Sequence, residues 1–284
     1  MVKAKATVQG AISLVNAIAN KKGATLGIDL KVVAEIETNP GKGITIKSKN
    51  KSLSSRLINK TVEKIVPKKD LEQNKIVITL ESEIPTGYGL KSSSAISSAV
   101  ALVCAKVFKP KLTDQQILLA GVDASIETKV SITGAYDDAC SCYYGGFNVT
   151  DNAKRNRIQF QKIPSNLTAV IFIPKNRKRG KLKNLKILSP IFNNAWELAK
   201  EKKYWQSMTI NGLATAAILD SDPKIIVSLM EKGALGASIS GNGPSIAAIV
   251  KKENIENIKK IFESLEGRII ISKINNKKAE VHEL

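Results

Sequence analysis

The sequence predicts an α+β protein built as two domains, and three observations carry that expectation. Each half of the chain carries both strand-like and helix-like segments, so it reads as two α+β layers. At 284 residues the chain is long enough for one or two buried cores. After the turn Pro164-Ser165-Asn166 the pattern restarts with a new apolar strand, which divides the chain into 1–162 and 163–284.

The elements follow in order. The segment ATVQGAISLVNAIA is apolar without a clear period, whereas TLGIDLKVVAEIET alternates and predicts a strand, as does GITIKSK after it. SSRLINKTVEKIV has helical spacing behind a serine N-cap, and KIVITLESEI alternates again. A helix is expected over 92–108, stopped at Lys109-Pro110, and a second opens at Thr113-Asp114. The segment SITGAYDDACSCYYGGFNVTD places Gly134, Gly145 and Gly146 as turn formers around a small-residue core, and RIQFQKI follows as a strand. In the second half TAVIFIP is a buried strand, and a basic loop, KNRKRGKLKNLK, comes next. Residues 189–219 carry one long helical pattern, and Asp222-Pro223 opens another helix. The tail reads strand (PSIAAIV), helix (KENIENIKKIFESLE), strand (GRIIISKI).

Composition excludes several classes of chemistry. There is a single histidine, His282, so a catalytic triad or a multi-histidine metal site has no residues to build it. Three cysteines do not make a disulfide framework. Cys104 falls on an apolar helix face, while Cys140 and Cys142 are either a redox pair or, the better fit, two small semi-buried residues. Acid–base work falls to carboxylates, lysines or tyrosines. No stretch reaches the roughly 18 apolar residues of a membrane span, and the early lysines lack a following signal-peptide core, so a soluble, cytoplasmic protein is expected. The formal charge of +19 is compatible with nucleic acid, yet the basic segments are scattered and aromatics are only 5%. A lysine-rich surface equally draws in anionic small molecules.

Chemistry concentrates in three segments. PTGYGLKSSSA, residues 85–95, puts two glycines, a lysine and three serines immediately ahead of a helix. Gly87 and Gly89 permit positive φ and close backbone approach. The free N–H groups and positive dipole end of the following helix face whatever the loop encloses. Lys91 adds a cation, and Ser92, Ser93 and Ser94 add hydroxyls. Neither G-x-x-x-x-G-K-[ST] nor G-x-G-x-x-G fits, so this is an anion loop of another kind. The second segment, GASISGNGPSIAAIV, reads alone as a tight turn or, together with the first, as a closing loop. The third, TGAYDDACSCYYGG, sets Asp137 and Asp138 among small and aromatic residues, where a carboxylate needs a partner or a function. Glu127, ten residues earlier, is a candidate metal ligand or a solvated helix glutamate.

Together the three segments resemble the GHMP kinases, a superfamily of small-molecule kinases. Its P-x-x-x-G-L-x-S-S-x-A phosphate loop is matched by Pro85, Gly89, Leu90, Ser92, Ser93 and Ala95; its aspartate segment by 134–146; its C-terminal glycine motif by 236–245. Within the superfamily, Lys91, the segment TGAYDDA and Asn16-Ala17 are most similar to the archaeal shikimate-kinase branch. The resemblance implies an N-terminal domain like domain 2 of ribosomal protein S5 and a ferredoxin-like C-terminal domain. It implies ATP and Mg²⁺ as cofactors and shikimate as the phosphoryl acceptor, with homoserine or mevalonate as alternatives, and no nucleic-acid or membrane partner. Carried over residue by residue, it implies that Pro85 to Ala95 (with Thr86 and Tyr88), Ser240, Gly241 and Gly243 bind ATP. Mg²⁺ falls to Ser93 (or Ser92) and Glu127, and catalysis to Asp137, Asp138 and Lys91. One departure stands out. Relatives carry a catalytic lysine in the first motif where this chain has Gly10, and Lys91 or another lysine takes that role if it is needed.

Overall fold

The computed structural model describes residues 2–49, 53–131, 133–177 and 180–284. Of the basic loop, Lys178 and Arg179 lie outside the described residues. Residues up to 161 supply six strands of a seven-stranded sheet and five helices. The strands are β1 (Val2–Val15), β2 (Lys22–Pro40), β3 (Gly43–Ser48), β4 (Asn74–Ser82), β5 (Phe147–Asp151) and β6 (Asn156–Gln161). The helices are α1 (Ser55–Ile65), α2 (Lys68–Gln73), α3 (Ser92–Phe108), α4 (Asp114–Glu127) and α5 (Tyr136–Tyr144). The second unit is a four-stranded antiparallel sheet: β7 (Leu167–Pro174), β8 (Gly236–Ile239), β9 (Ile246–Lys251) and β10 (Gly267–Lys273), in the order β10-β7-β9-β8. It carries α6 (Ser189–Lys200), α7 (Tyr204–Ile218), α8 (Pro223–Glu231) and α9 (Ile255–Glu263). A last strand, β11 (Glu280–Glu283), returns to the first sheet and pairs with Ala4–Thr7 of β1.

The expected start signals do form caps. Ser54 accepts from the Leu57 amide at the head of α1. Thr113 and Gln116 close a reciprocal capping box on α4, and Asp222 caps α8 ahead of Pro223. In β7 the continuous apolar run has a physical cause: Ala169, Ile171 and Ile173 join one core, while Val170 and Phe172 join the other.

The sequence does not predict α2, β5 or β8, and four further segments depart from the expectation. The aperiodic segment near the N-terminus is strand β1, whose residues 11–15 are buried on both faces, which erases the alternation. The small-residue core around the aspartates is a nine-residue helix, α5. The long helix over 189–219 is two helices, α6 and α7, broken where Lys202 turns left-handed (φ 64°), so that Tyr204 packs 3.9 Å from the Phe147 ring. Strand β11 has only four residues and was not anticipated.

Two features position the site. The sheet bends along β2: residues 32–40 pair with β4, and residues 22–26 pair with β5. The far end of β1 and the near end of β2 therefore run beneath α5, where the two domains meet. Helix α3 is the central element of the first domain, buried on nearly every face against β1, β2, α1, α4 and α5. Its N-terminus opens on the same place.

Candidate active site

A cleft of about 330 Å³ lies between the domains. Its walls include Ser13 and Asn16 from the end of β1, Gly87, Gly89 and Lys91–Ser94 from the phosphate loop, and Asp137 and Asp138 from α5. Ser125 comes from the last turn of α4, Ser131 and Thr133 from the α4–α5 connection, and Gly241 and Asn242 from the second glycine segment. The three segments singled out in the sequence thus meet in one place.

The phosphate loop works by backbone geometry. Gly87 and Gly89 both have positive φ (83° and 80°). A Cβ on Gly89 would stand 1.9 Å from the Ser240 carbonyl oxygen, so the two glycine segments touch only because that side chain is absent. The contact is tied by hydrogen bonds: Ser240 Oγ donates to the Gly89 carbonyl (2.8 Å) and Ser245 Oγ to that of Tyr88 (2.6 Å). Lys91 then enters α3 in the left-handed region (φ 66°) without capping it. The Ala95 amide closes on the Lys91 carbonyl at 2.9 Å, which leaves the earlier amides of the turn free of the helix ladder. Those amides, the hydroxyl groups of the three serines and the Lys91 ammonium make a cradle suited to polyphosphate.

Lys91 is central to the charge balance. Its side chain is almost wholly buried, and its ammonium donates to Ser13 Oγ at 2.7 Å and lies 2.9 Å from Asp138 Oδ1. That second approach is an ion pair and not an aligned hydrogen bond, since Asp138 Oδ1 has none. Asp137 is in a different position. It is 3% exposed, accepts from Asn152 Nδ2 (2.7 Å), and has its own amide held by Asn152 Oδ1 (3.1 Å). Gly23 of β2 packs against its carboxyl so closely that a Cβ there would be 2.4 Å from Asp137 Oδ2. Burial, and then the negative charge of Asp138, push the Asp137 carboxyl up to about 7; the Lys91 charge and the Asn152 hydrogen bond oppose this. A carboxylate of that kind exchanges protons near neutral pH.

Not every expected residue reaches the cleft. Glu127 does not: it is exposed at the end of α4 and paired with Lys64 and Lys60 (3.5 Å to the latter), so its negative charge serves the α1–α4 surface. Leu90 and Ala95 turn into the core, where they seat the loop. Pro85 is buried, and half-buried Tyr88 packs against the core with the Arg177 guanidinium 4.7 Å from its ring centroid. Thr86 and Ser240 support the loops and do not line the cleft, and Gly243 lines a neighbouring cavity of about 250 Å³. Cys140 and Cys142 are fully buried, not semi-buried, and burial raises both thiols, Cys140 to about 12. They sit two residues apart on one helix and so point in different directions, which removes the redox pair. Sequence reasoning missed Ser13, Gly23, Ser125, Ser131, Thr133 and Asn152. Each is an ordinary small polar residue or glycine whose role depends on what the fold brings against it.

A glycine-built loop at a helix start, beside one buried and one partly buried aspartate, is an arrangement suited to phosphoryl transfer. The family model for the GHMP kinases N-terminal domain matches residues 56–146, and that for the GHMP kinases C-terminal domain matches 205–266. The chain belongs to the GHMP kinases. Over 278 residues it is 37% identical to the shikimate kinase of Methanosarcina acetivorans, covering 95% of this chain and 93% of that one. It is 31% identical to the shikimate kinase of Methanothermobacter thermautotrophicus over the full length of both. Among solved structures it is similar to homoserine kinase from Cytophaga hutchinsonii, with a TM-score of 0.79 at 19% identity over 99% of this chain and 97% of that one. The Methanococcus jannaschii mevalonate kinase gives 0.75 at 18% identity, covering 96% and 98%. These likenesses establish the two-domain α+β fold.

Proposed function

We propose that this protein is an ATP-dependent shikimate kinase, transferring the γ-phosphoryl group of ATP to the 3-hydroxyl of shikimate on the route to aromatic amino acids. The observation that carries the reading is Lys91. It stands in the phosphate loop and delivers its ammonium to Asp138 and to Ser13 on the strand where relatives carry their first-motif lysine. It is the residue on which the resemblance to the shikimate-kinase branch rests most. The remaining wall agrees with a polyhydroxylated acceptor: Ser125, Ser131 and Thr133 offer hydroxyl groups, and among the described residues Lys91 is the one cationic side chain lining the cleft.

Phosphoryl transfer asks the protein for positioning and charge compensation more than for covalent chemistry. The first turn of α3, with Gly87 and Gly89, holds the phosphates. Lys91 offsets charge on the transferring group. The shikimate oxygen forms its bond to the γ-phosphorus as the bond to the β–γ bridging oxygen breaks, ADP leaves, and the hydroxyl proton passes to Asp137. Asp138 holds the Lys91 ammonium beside the transfer site. For Mg²⁺ the cleft offers the Ser93 hydroxyl and the Asp138 carboxylate, although the Oδ1 of Asp138 already faces the Lys91 ammonium; Glu127 is exposed, paired with Lys64 and Lys60, and does not line the cleft. When bound, the ion would supply positive charge to neutralise the phosphates. We propose a cytoplasmic enzyme with residues 1–162 as its ATP-binding domain and 163–284 as its second domain, acting on small molecules and not on nucleic acid. Among the described residues no helix is long and apolar enough to cross a membrane.

The test is ADP release with Mg-ATP and a panel of shikimate, homoserine, mevalonate and galactose. Shikimate should give the highest kcat/KM, and a greater value for any other alcohol would overturn the assignment.

A further inference from the structure

We infer that Ser13 is a positioning residue for phosphoryl transfer: its hydroxyl holds the Lys91 ammonium at the cleft, between the phosphate loop and Asp138. The argument begins with what a lysine cannot do alone. Lys91 carries its ammonium on a four-carbon stem with wide rotamer freedom and leaves the chain at a left-handed residue. The ion pair with Asp138 supplies attraction but little direction, because the 2.9 Å approach is not aligned as a hydrogen bond. Direction comes from the other contact, in which Lys91 Nζ donates to Ser13 Oγ at 2.7 Å.

Ser13 can do this because it is itself fixed from both domains. It is 1% exposed on β1, its amide donates to Ser240 Oγ (3.1 Å), and its hydroxyl oxygen also accepts from the Gly241 amide (3.1 Å). Ser240 Oγ in turn donates to the Gly89 carbonyl, two residues before Lys91. The ammonium therefore closes a ring through β1, the glycine segment of the second domain and the phosphate loop. The space is cut to fit: a Cβ at Gly241 would stand 2.6 Å from Lys91 Nζ. An ammonium has three N–H groups. One goes to Ser13 and one faces Asp138, which leaves the third for the cleft that Lys91 lines. Residue 13 thus acts through Lys91, and its loss should cost turnover far more than substrate affinity.

The kinetic arm rests on the kinase assignment; a second arm does not. In the kinetic arm, Ser13→Ala is expected to lower kcat at least about tenfold while KM for ATP changes less than about twofold. In a Lys91→Met background the same substitution should change kcat by less than about twofold, because the residue it acts through is gone. In the second arm, lysine is labelled with ¹⁵N, and the Lys91 ammonium is assigned by its disappearance in Lys91→Met. The wild type should show a slowly exchanging ammonium signal, lost in Ser13→Ala and kept in Ser245→Ala, which frees the Tyr88 carbonyl of the same loop without touching Ser13 or Lys91. Ser13→Cys fills the same space with a poor acceptor, so it should reproduce the loss even if the alanine variant does not fold. A Lys91 signal that persists in the Ser13 variants overturns the inference. So does an equal fold-loss from Ser13→Ala with and without Lys91.

Discussion

Two helices open on the cleft in the same unusual way and face opposite charges. Both α3 and α5 are entered through a non-glycine residue in the left-handed region, Lys91 (φ 66°) and Ala135 (φ 51°), and neither has a side-chain cap. The first turn of α3 contains only serines and is preceded by a cation, so its positive end awaits an external anion. The first turn of α5 contains Asp137 and Asp138, so its positive end already has its anions. A helix start that leaves its amides unclaimed suits a phosphate, and in the proposed function the start that supplies its own carboxylates provides the base and a counter-charge. Lys91 belongs to the first start and is paired to the second, which is how the two halves of the site are joined.

The largest expected effect falls on the base. Asp137→Asn should cost about 10²–10⁴ in kcat, the range general-base removal spans, with ATP affinity nearly intact. Retained turnover would move proton transfer elsewhere on α5. Next comes the contact between the glycine segments. Gly89→Ala forces a side chain into the Ser240 carbonyl at a positive φ, so the α3 cradle should loosen and KM for ATP should rise about tenfold or more. The pH-dependence attributed to Asp137 should stay in place. If that variant damaged acid–base behaviour instead, the division of labour between the two helix starts would fail.

The pH profile gives a finer test. Burial and the charge of Asp138 raise the Asp137 carboxyl to about 7, so kcat/KM should fall on the acid side as pH drops through that value and Asp137 takes up a proton. Removing the neighbouring like charge in Asp138→Asn should move this limb to lower pH. Removing the opposing positive charge in Lys91→Met should move it to higher pH. Shifts of the opposite sign would separate the limb from Asp137. The smallest effect belongs to Glu127→Gln: an exposed carboxylate paired with Lys60 and Lys64 should change kcat by less than about twofold. A large loss would bring the end of α4 back into the site.

How much of this was legible in the sequence differs between the same two regions. The phosphate loop could be read because its chemistry is local: glycines, a lysine and serines adjacent in the chain are also adjacent in space. Its helix, the caps at Ser54, Thr113 and Asp222, and strands β7, β9 and β10 follow from spacing and capping rules that depend on near neighbours. Around α5 the determinants are distant. Asn152, Thr25 and Gly23 surround Asp137 only after β2 and β5 pair, and no pattern near residue 137 announces them. Glu127 illustrates the converse. Ten residues from the aspartate pair in sequence, it ends on the far side of its helix because α1 brings Lys60 and Lys64 against it. Ser13 and Asn16 lie in a stretch so uniformly buried that its strand period is hidden, and with it the face that meets the cleft.

The most direct test of the whole account is the identity of the product. With purified protein, Mg-ATP and shikimate, phosphorus–proton correlation NMR should show a single phosphomonoester on the 3-hydroxyl, formed in step with ADP and abolished in Asp137→Asn. ADP formation that does not depend on shikimate, or a phosphorylated product only with another alcohol, would contradict it.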